Sequence, residues 1–276
     1  MNLYNKILFG LTKHKLVNNL RFKNIHKGES CYIFGNGISL KSMNLKFFND
    51  KIAIGCNALF IHNDFRSLNC KYYQIPPPLF FLPINIKYYN KYQRNYVGDL
   101  YRKKMMIFDD THYFTSIYNS LNIRADNITY MHHFGIRDYN LNECELDRIF
   151  SFSSDATVAM IGTAIYMGFS EAILVGTDYT FSPPVIRHFY EKGKGEIEPQ
   201  NYYKQEFFEQ IKNKIDLLTI TLEGKKSDTL AYKSYSEYTG DNERYRKNID
   251  CVDKESLDML DKTTGFYNIY SMPIDC

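Results

Sequence analysis

The strongest constraint lies in one stretch, Ala156 to Asp178. Val158, Ile161, Ile165 and Tyr166 recur at helical spacing, and Gly168 stands where a helix-ending glycine belongs. An uninterrupted apolar run follows, Ala172-Ile173-Leu174-Val175-Gly176, and stops at Thr177-Asp178. A run with no polar alternation is a strand covered on both faces, as in a parallel sheet between helices. Two earlier runs have the same form. Cys31-Tyr32-Ile33-Phe34 stops in Gly35-Asn36-Gly37, and Lys51 to Cys56 stops at Asn57. Further runs are read as a strand over Lys103–Phe108, a helix over Thr111–Leu121, a strand over Ile128–His132, a helix from about Tyr202 to Lys214 and a strand over Ile215–Leu222. Strands alternating with helices predict an α/β fold with a mostly parallel sheet flanked by helices. In such sheets ligands bind beyond the carboxyl ends of the strands, here Asn36, Asn57 and Asp178.

The organisation expected along the chain is a basic, apolar helical lead-in over 1–28, a central domain over 29–224 and a polar extension over 225–276. The lead-in is read either as a helix docked on the protein's own core or as a peripheral attachment to a membrane surface or partner. Pro76-Pro77-Pro78 and Pro83 predict a loop over 70–86, and the Tyr-, Lys- and Arg-rich residues 87–104 read as solvated. The prolines and glycines of 182–203 suggest a lid. A net charge of +3 is too small to argue for nucleic acid, and no run of about 18 apolar residues exists to span a membrane. Six scattered cysteines without a C-x-x-C pair argue against structural zinc and fit a reducing cytoplasm. The 24 Tyr and 20 Phe, with no Trp, suit sugar or nucleotide binding, and equally a compositional bias that raises Asn, Lys and Ile together.

Gly35-Asn36-Gly37 after a strand supplies a turn whose amides can face a phosphate, but Leu40 occupies the place of a third glycine. Asp109-Asp110 could hold a divalent metal or be an ordinary surface or helix-capping pair. His188 is a candidate general base in the 182–203 loop. His132-His133 reads as structural or ligand-lining. No H-E-x-x-H, G-x-S-x-G or Walker loop is present.

The run Ile33 to Leu40 resembles the nucleotide loop of bacterial family forty-two sialyltransferases and of the related catalytic domain of motility-associated flagellin glycosyltransferases. Gly55-Cys56-Asn57 and Ala156 to Phe181 resemble the segments that follow in that family. The resemblance implies a Rossmann-like GT-A variant with a lid, and an inverting, metal-free glycosyltransferase. Its donor would be a CMP-activated nonulosonic acid, used as a substrate with no cofactor, and its acceptor a bacterial surface glycan. Carried over by position, Gly35, Asn36, Gly37 and Ser39 meet the nucleotide and Asn57 the ribose or phosphate. Thr157 substitutes for a serine that would fall at Ala156, and Asp178 sits beside the donor. His188 would be the base, and Tyr179, Arg187 and Tyr190 the candidates to support the leaving phosphate. The chain departs from the pattern at Ile38, where the family has proline, at Ser153, where it has arginine, and at Thr180, where it has tyrosine. A metal-dependent pyrophosphokinase-like enzyme on the same scaffold and a non-catalytic nucleotide-binding protein of glycan assembly remain as alternatives. The oligomeric state is open, a homo-oligomer included.

Overall fold

In the computed structural model of the chain, the described residues are 3–75, 81, 97–132, 144–150, 155–198, 205–262 and 267–270. The triple proline with Pro83, residues 87–96, His133, Ser153, the 199–203 part of the expected lid and Cys276 lie outside them.

Each apolar run that opens the central region becomes a parallel strand. β1 (Ser30–Phe34) sits between β2 (Ile52–Cys56) and β6 (Glu171–Val175), with Ile33 beside Ile54 on one side and Phe34 beside Val175 on the other. The sheet extends from β2 through β3 (Cys70–Ile75) and β4 (His112–Ser116) to β5 (Ile128–Met131). On the other side of β6 come β9 (Asp216–Thr221) and β10 (Ala231–Ser234). All seven pairings of this eight-stranded sheet are parallel. The α/β architecture read from the sequence is the one observed.

Successive side chains of a strand point to opposite faces. Tyr32 and Phe34 therefore join one core with Phe48, Tyr73 and Tyr113, while Cys31 and Ile33 join another with Ile54, Ile161 and Leu174. The second core is roofed by α3 (Ala156–Met167), which is apolar on nearly every side because it is buried nearly all round. The Asp155 carboxylate caps its start by accepting from Val158 N at 2.9 Å, and Gly168 ends it at φ +87°.

Three expectations fail for one reason, that short apolar runs do not reveal their period. Residues 103–107 belong to α2 (Gly98–Ile107), which buries Leu100, Tyr101 and Met105 and leaves Met106 in solvent. The expected helix over Thr111–Leu121 is instead β4 followed by a 3-10 turn, Ile117–Leu121, consistent with the β-preference of His-Tyr-Phe-Thr-Ser. Cys70–Ile75, placed in the proline loop, is β3. The residues expected as a polar extension supply β10 and the helices α5 (Tyr235–Thr239), α6 (Asn248–Cys251) and α7 (Lys254–Asp261). β10 is an edge strand with three of its four residues exposed, so it carries no apolar signature.

The lead-in folds as α1 (Leu3–Leu16), a 3-10 turn over Val17–Phe22 and a strap along the end of α3, where Asn24, His26 and Gly28 donate to Tyr166, Met167 and Gly168 carbonyls. The strap passes so close that a Cβ on Gly168 would meet Asn24 Cα at 3.1 Å and Lys27 Cα at 3.2 Å. A side chain at this left-handed position is also strained in its own right. Gly168→Ala is expected to lower stability by about 1–2 kcal/mol, read by urea denaturation.

Candidate active site at the carboxyl edge of the sheet

The chain builds β1 to β5 outward in one direction, then returns to place β6 on the other flank of β1. This reversal opens a crevice at the carboxyl ends of β1 and β6. A cleft of about 280 Å³ lies there, walled by Gly35, Asn36 and Gly37 after β1, Cys56 and Asn57 after β2, Asp155, Ala156 and Thr157 at the start of α3, Gly176, Thr177 and Tyr179 after β6, and Arg187 and His188.

The glycines are there for contact distance. Gly35 N–H donates to Val175 O at 2.8 Å and Gly37 N–H to Gly176 O at 2.7 Å. A Cβ on Gly35 would strike the Gly176 carbonyl, and one on Gly37 the Asp178 carboxylate. Asp178 is buried and turned away from the cleft. It accepts from Ser39 N at 2.8 Å and from Ser39 Oγ at 2.5 Å. Ser39 and Asp178, expected beside the nucleotide, therefore bond each other and wall a separate cavity with Ile38 and Phe181. Asn36 lines the cleft, but its amide is engaged as well: Nδ2 donates to Cys56 O at 3.0 Å, and Oδ1 accepts from Ala58 N at 3.1 Å. It ties the β1 turn to the β2 turn. Thr180, at the position of the family's tyrosine, bonds Thr177 O and Thr219 Oγ1 in the core.

Groups open to a ligand remain. Asn57 holds φ +50°, a conformation asparagine tolerates. Its side chain and that of Thr157 have no hydrogen-bonding protein partner among the described residues. The hydroxyl of Thr177 is buried in the cleft wall without a partner among the described residues. The first amides of α3, at Ala156 and Thr157, have no acceptor within the helix, and the helix dipole favours negative charge at this end.

The other wall is the hairpin of β7 (Val185–Ile186) and β8 (Glu196–Ile197), the described part of the expected lid. It is docked on the β1 turn, with Phe189 N donating to Asn36 O and His188 bridged to Gly37. His188 Nδ1 lies 2.5 Å from Glu191 Oε1, and its backbone N–H donates to the same oxygen. The imidazole stacks on buried Tyr190 at 4.9 Å and meets Tyr267 edge-on. Burial alone would raise the Glu191 carboxyl, but the bonds from His188 pull it below its ordinary value. An ionised carboxylate only accepts, so Nδ1 carries the proton and Nε2 is the basic nitrogen of the neutral ring. Arg187 stands at φ +97° and divides its guanidinium between Glu196 (2.8 Å) and Glu191 (3.6 Å). Tyr190, expected to face the phosphate, is instead the floor under His188 and does not line the cleft.

Glu191 and Lys41 escaped the sequence reading. Lys41 is wholly buried, and its ammonium holds the carbonyls of Glu191 and of Gly193, the latter at 2.8 Å. His188 and Glu191 are spaced i, i+3, but in a loop, where no periodicity marks the pair. Asp109 and Asp110 follow α2 and precede β4, at the amino edge of the sheet, opposite the cleft. Among the described residues no three His, Cys, Asp or Glu cluster as metal ligands. His132 is buried and packs against Phe9.

No protein-family model and no curated protein matches the chain. Solved structures similar to it include two sialyltransferase complexes. One is the sialyltransferase CstII from Campylobacter jejuni with the substrate analogue cytidine-5'-monophosphate, at TM-score 0.42 and 16% identity, over 86% of this chain and 99% of that one. The other is the sialyltransferase CST-II with trisaccharide acceptor and CMP, at TM-score 0.43 and 17% identity, over 85% and 99%. Both likenesses are remote.

Two outcomes follow from the buried charges. Burial pushes the Asp178 carboxyl from 3.8 up to about 6, against the pull of the Ser39 bonds. A raised folded value means a contribution fully present below the unfolded value and lost as pH rises through the folded one. The two-unit gap corresponds to about 3 kcal/mol. Between pH 4 and pH 7, the stability of the wild type relative to Asp178→Asn should fall by up to about that amount, measured by urea denaturation at each pH. Lys41→Met strips the Glu191 and Gly193 carbonyls of their donor and should cost about 1–3 kcal/mol. It should also alter the downfield Nδ1 proton resonance of His188.

Proposed function

We propose that the protein is an inverting, sialyltransferase-like glycosyltransferase that moves a sugar, a nonulosonic acid by the sequence resemblance, from a CMP-activated donor to a surface glycan. The observation that carries the reading is the His188–Glu191 pair on the wall of the strand-end cleft. A histidine whose Nδ1–H is held by a buried carboxylate presents Nε2 as a general base.

In this reading the acceptor hydroxyl gives its proton to His188 Nε2 as its oxygen attacks the anomeric carbon. The bond from that carbon to the phosphate oxygen breaks from the opposite face, so the configuration inverts and CMP leaves with the electron pair. Glu191 stabilises the imidazolium formed. The growing charge on the phosphate is met by the α3 amino end, Arg187 and the Tyr179 hydroxyl. Asn57 and Thr157 offer hydrogen bonds to the nucleotide. No step calls on a metal. Asp109 and Asp110, which a pyrophosphokinase-like reading needs, are at the other edge of the sheet.

CMP and CDP should raise the melting temperature more than AMP, GMP or UDP; a ligand at a hundredfold excess over Kd adds about 2.7 kcal/mol. A preference for UDP or GDP would remove the CMP donor. His188→Ala should keep nucleotide binding and lower kcat by about a hundredfold or more. Glu191→Gln should also lower kcat, by less than His188→Ala, since a neutral amide stabilises the imidazolium formed less well than the carboxylate. EDTA should leave the rate unchanged. Near-normal kcat in His188→Ala would overturn the assignment of the base, and undetectable transfer by the wild type would favour a non-catalytic binding protein.

A further inference from the structure

The segment before β1 concentrates charge of one sign. Lys6, Lys13, Lys15, Arg21, Lys23 and Lys27 fall within residues 1–28 with no Asp or Glu among them, whereas the remainder of the chain is net negative. The same segment exposes apolar side chains. Ile7 is 55% exposed, Leu11 69%, Val17 44%, Leu20 50% and Ile25 45%.

These two features sit on a fixed platform. Phe9 packs on His132, Leu16 and Phe22 are buried, and Asn19 Nδ2 donates to Tyr130 O at 2.9 Å and Leu146 O at 2.8 Å. Ile7 and Leu11 are one helical turn apart on the outward side of α1, with Lys13 and Lys15 beyond them. Lys15 and Arg21 also line a groove of about 900 Å³ with Arg124 at the β5 edge, where three cations face one carboxylate, Asp126. The inward residues satisfy the sheet, so the outward ones are not required by the core.

We propose that residues 7–27 form a docking surface for an anionic bilayer, with Ile7, Leu11, Val17 and Leu20 entering the interface and the lysines and Arg21 meeting lipid phosphates. A basic patch alone would suit any polyanion, but a nucleic acid gives the exposed leucines and isoleucines nothing to bury against. An anionic membrane surface takes both kinds of group at once. α1 packs at the β5 end of the sheet and residues 24–28 at the Gly168 end of α3, whereas the cleft is walled by the Ala156 end of that helix, so docking leaves the cleft walls untouched. The surface is independent of the transferase reading.

The test is cosedimentation of the full chain with phosphatidylcholine vesicles, with and without phosphatidylglycerol. The wild type should bind only the anionic vesicles and be released by high salt. Leu11→Asp with Ile7→Asp should abolish binding, and Lys13→Glu with Lys15→Glu should weaken it about tenfold or more. All variants should keep a cooperative melting curve, since Ile7, Leu11 and Lys13 are exposed and Lys15 is half-buried over the Tyr130 ring at the groove edge. Absence of binding, or equal binding to neutral vesicles, overturns the proposal. So does binding that survives Leu11→Asp with Ile7→Asp and is competed by a duplex oligonucleotide, which would mark a plain polyanion patch. A dimer in sedimentation velocity that the same variant dissociates, without vesicle binding, would assign the face to a second copy.

Discussion

A buried carboxylate clasps two strand ends together. Asp178 leaves β6, passes under the space where Gly37 has no Cβ, and receives the amide and hydroxyl of Ser39. Stripped of water, that carboxyl is costly to ionise, and the hydrogen bonds from the opposite turn, with the nearby His188, offset part of that cost. The turn it holds, Ile38–Ser42, carries Lys41, and Lys41 in turn holds the carbonyls of Glu191 and Gly193. Glu191 fixes His188. A chain of contacts thus runs from the end of β6 to the basic nitrogen without passing through the cleft.

The same loop is secured from the far end of the chain. Asn268 N donates to Glu191 Oε2 at 3.2 Å, Lys192 N donates to Asn268 O at 2.6 Å, and Asn248 Nδ2 bonds Tyr190 O and Ile269 O. Tyr267 closes on the stacked rings of His188 and Tyr190. Residues after 225 are therefore part of what holds the candidate base, as well as part of the sheet.

What could be read in advance follows from how each feature is encoded. β1, β2, β6 and α3 are buried on both faces, so apolar runs and a terminal glycine mark them. β10 is exposed and α2 half-exposed, and their composition looks like linker. In the site, strand-end position was legible for Asn36 and Asn57, and the resemblance and the loop reading supplied Gly35, Gly37, Thr157, Tyr179, Arg187 and His188, which line the same cleft. Side-chain direction was not legible. Whether a strand-end polar residue faces a ligand or the next turn depends on which neighbour lacks a Cβ, and for Ser39 and Asp178 the answer was the next turn. Glu191 and Lys41 gave no signal at all, because their partners are a loop histidine and two backbone carbonyls.

The polar groups of this region divide by whether their bonds are already made. Those of Asn36, Ser39, Asp178 and Thr180 are made inside the protein, and they set the distances between turns. Asn57, Thr157 and the hydroxyl of Thr177 retain unfilled capacity toward the cleft, and two residues on its walls, Asn57 and Arg187, hold positive φ. Backbone strain of this kind costs about 1–3 kcal/mol per residue and persists only where surrounding contacts enforce it. Here the enforcing contacts are Gln74 O and Tyr73 under Asn57, and Glu196 and Glu191 around Arg187. The hydroxyl of Thr177, buried in the cleft wall with no partner among the described residues, is a group whose hydrogen bond a molecule in the cleft can supply. The frame is closed where its own bonds are complete, at Asn36, Ser39 and Asp178, and the groups with unfilled capacity, Asn57, Thr157 and the Thr177 hydroxyl, line the cleft.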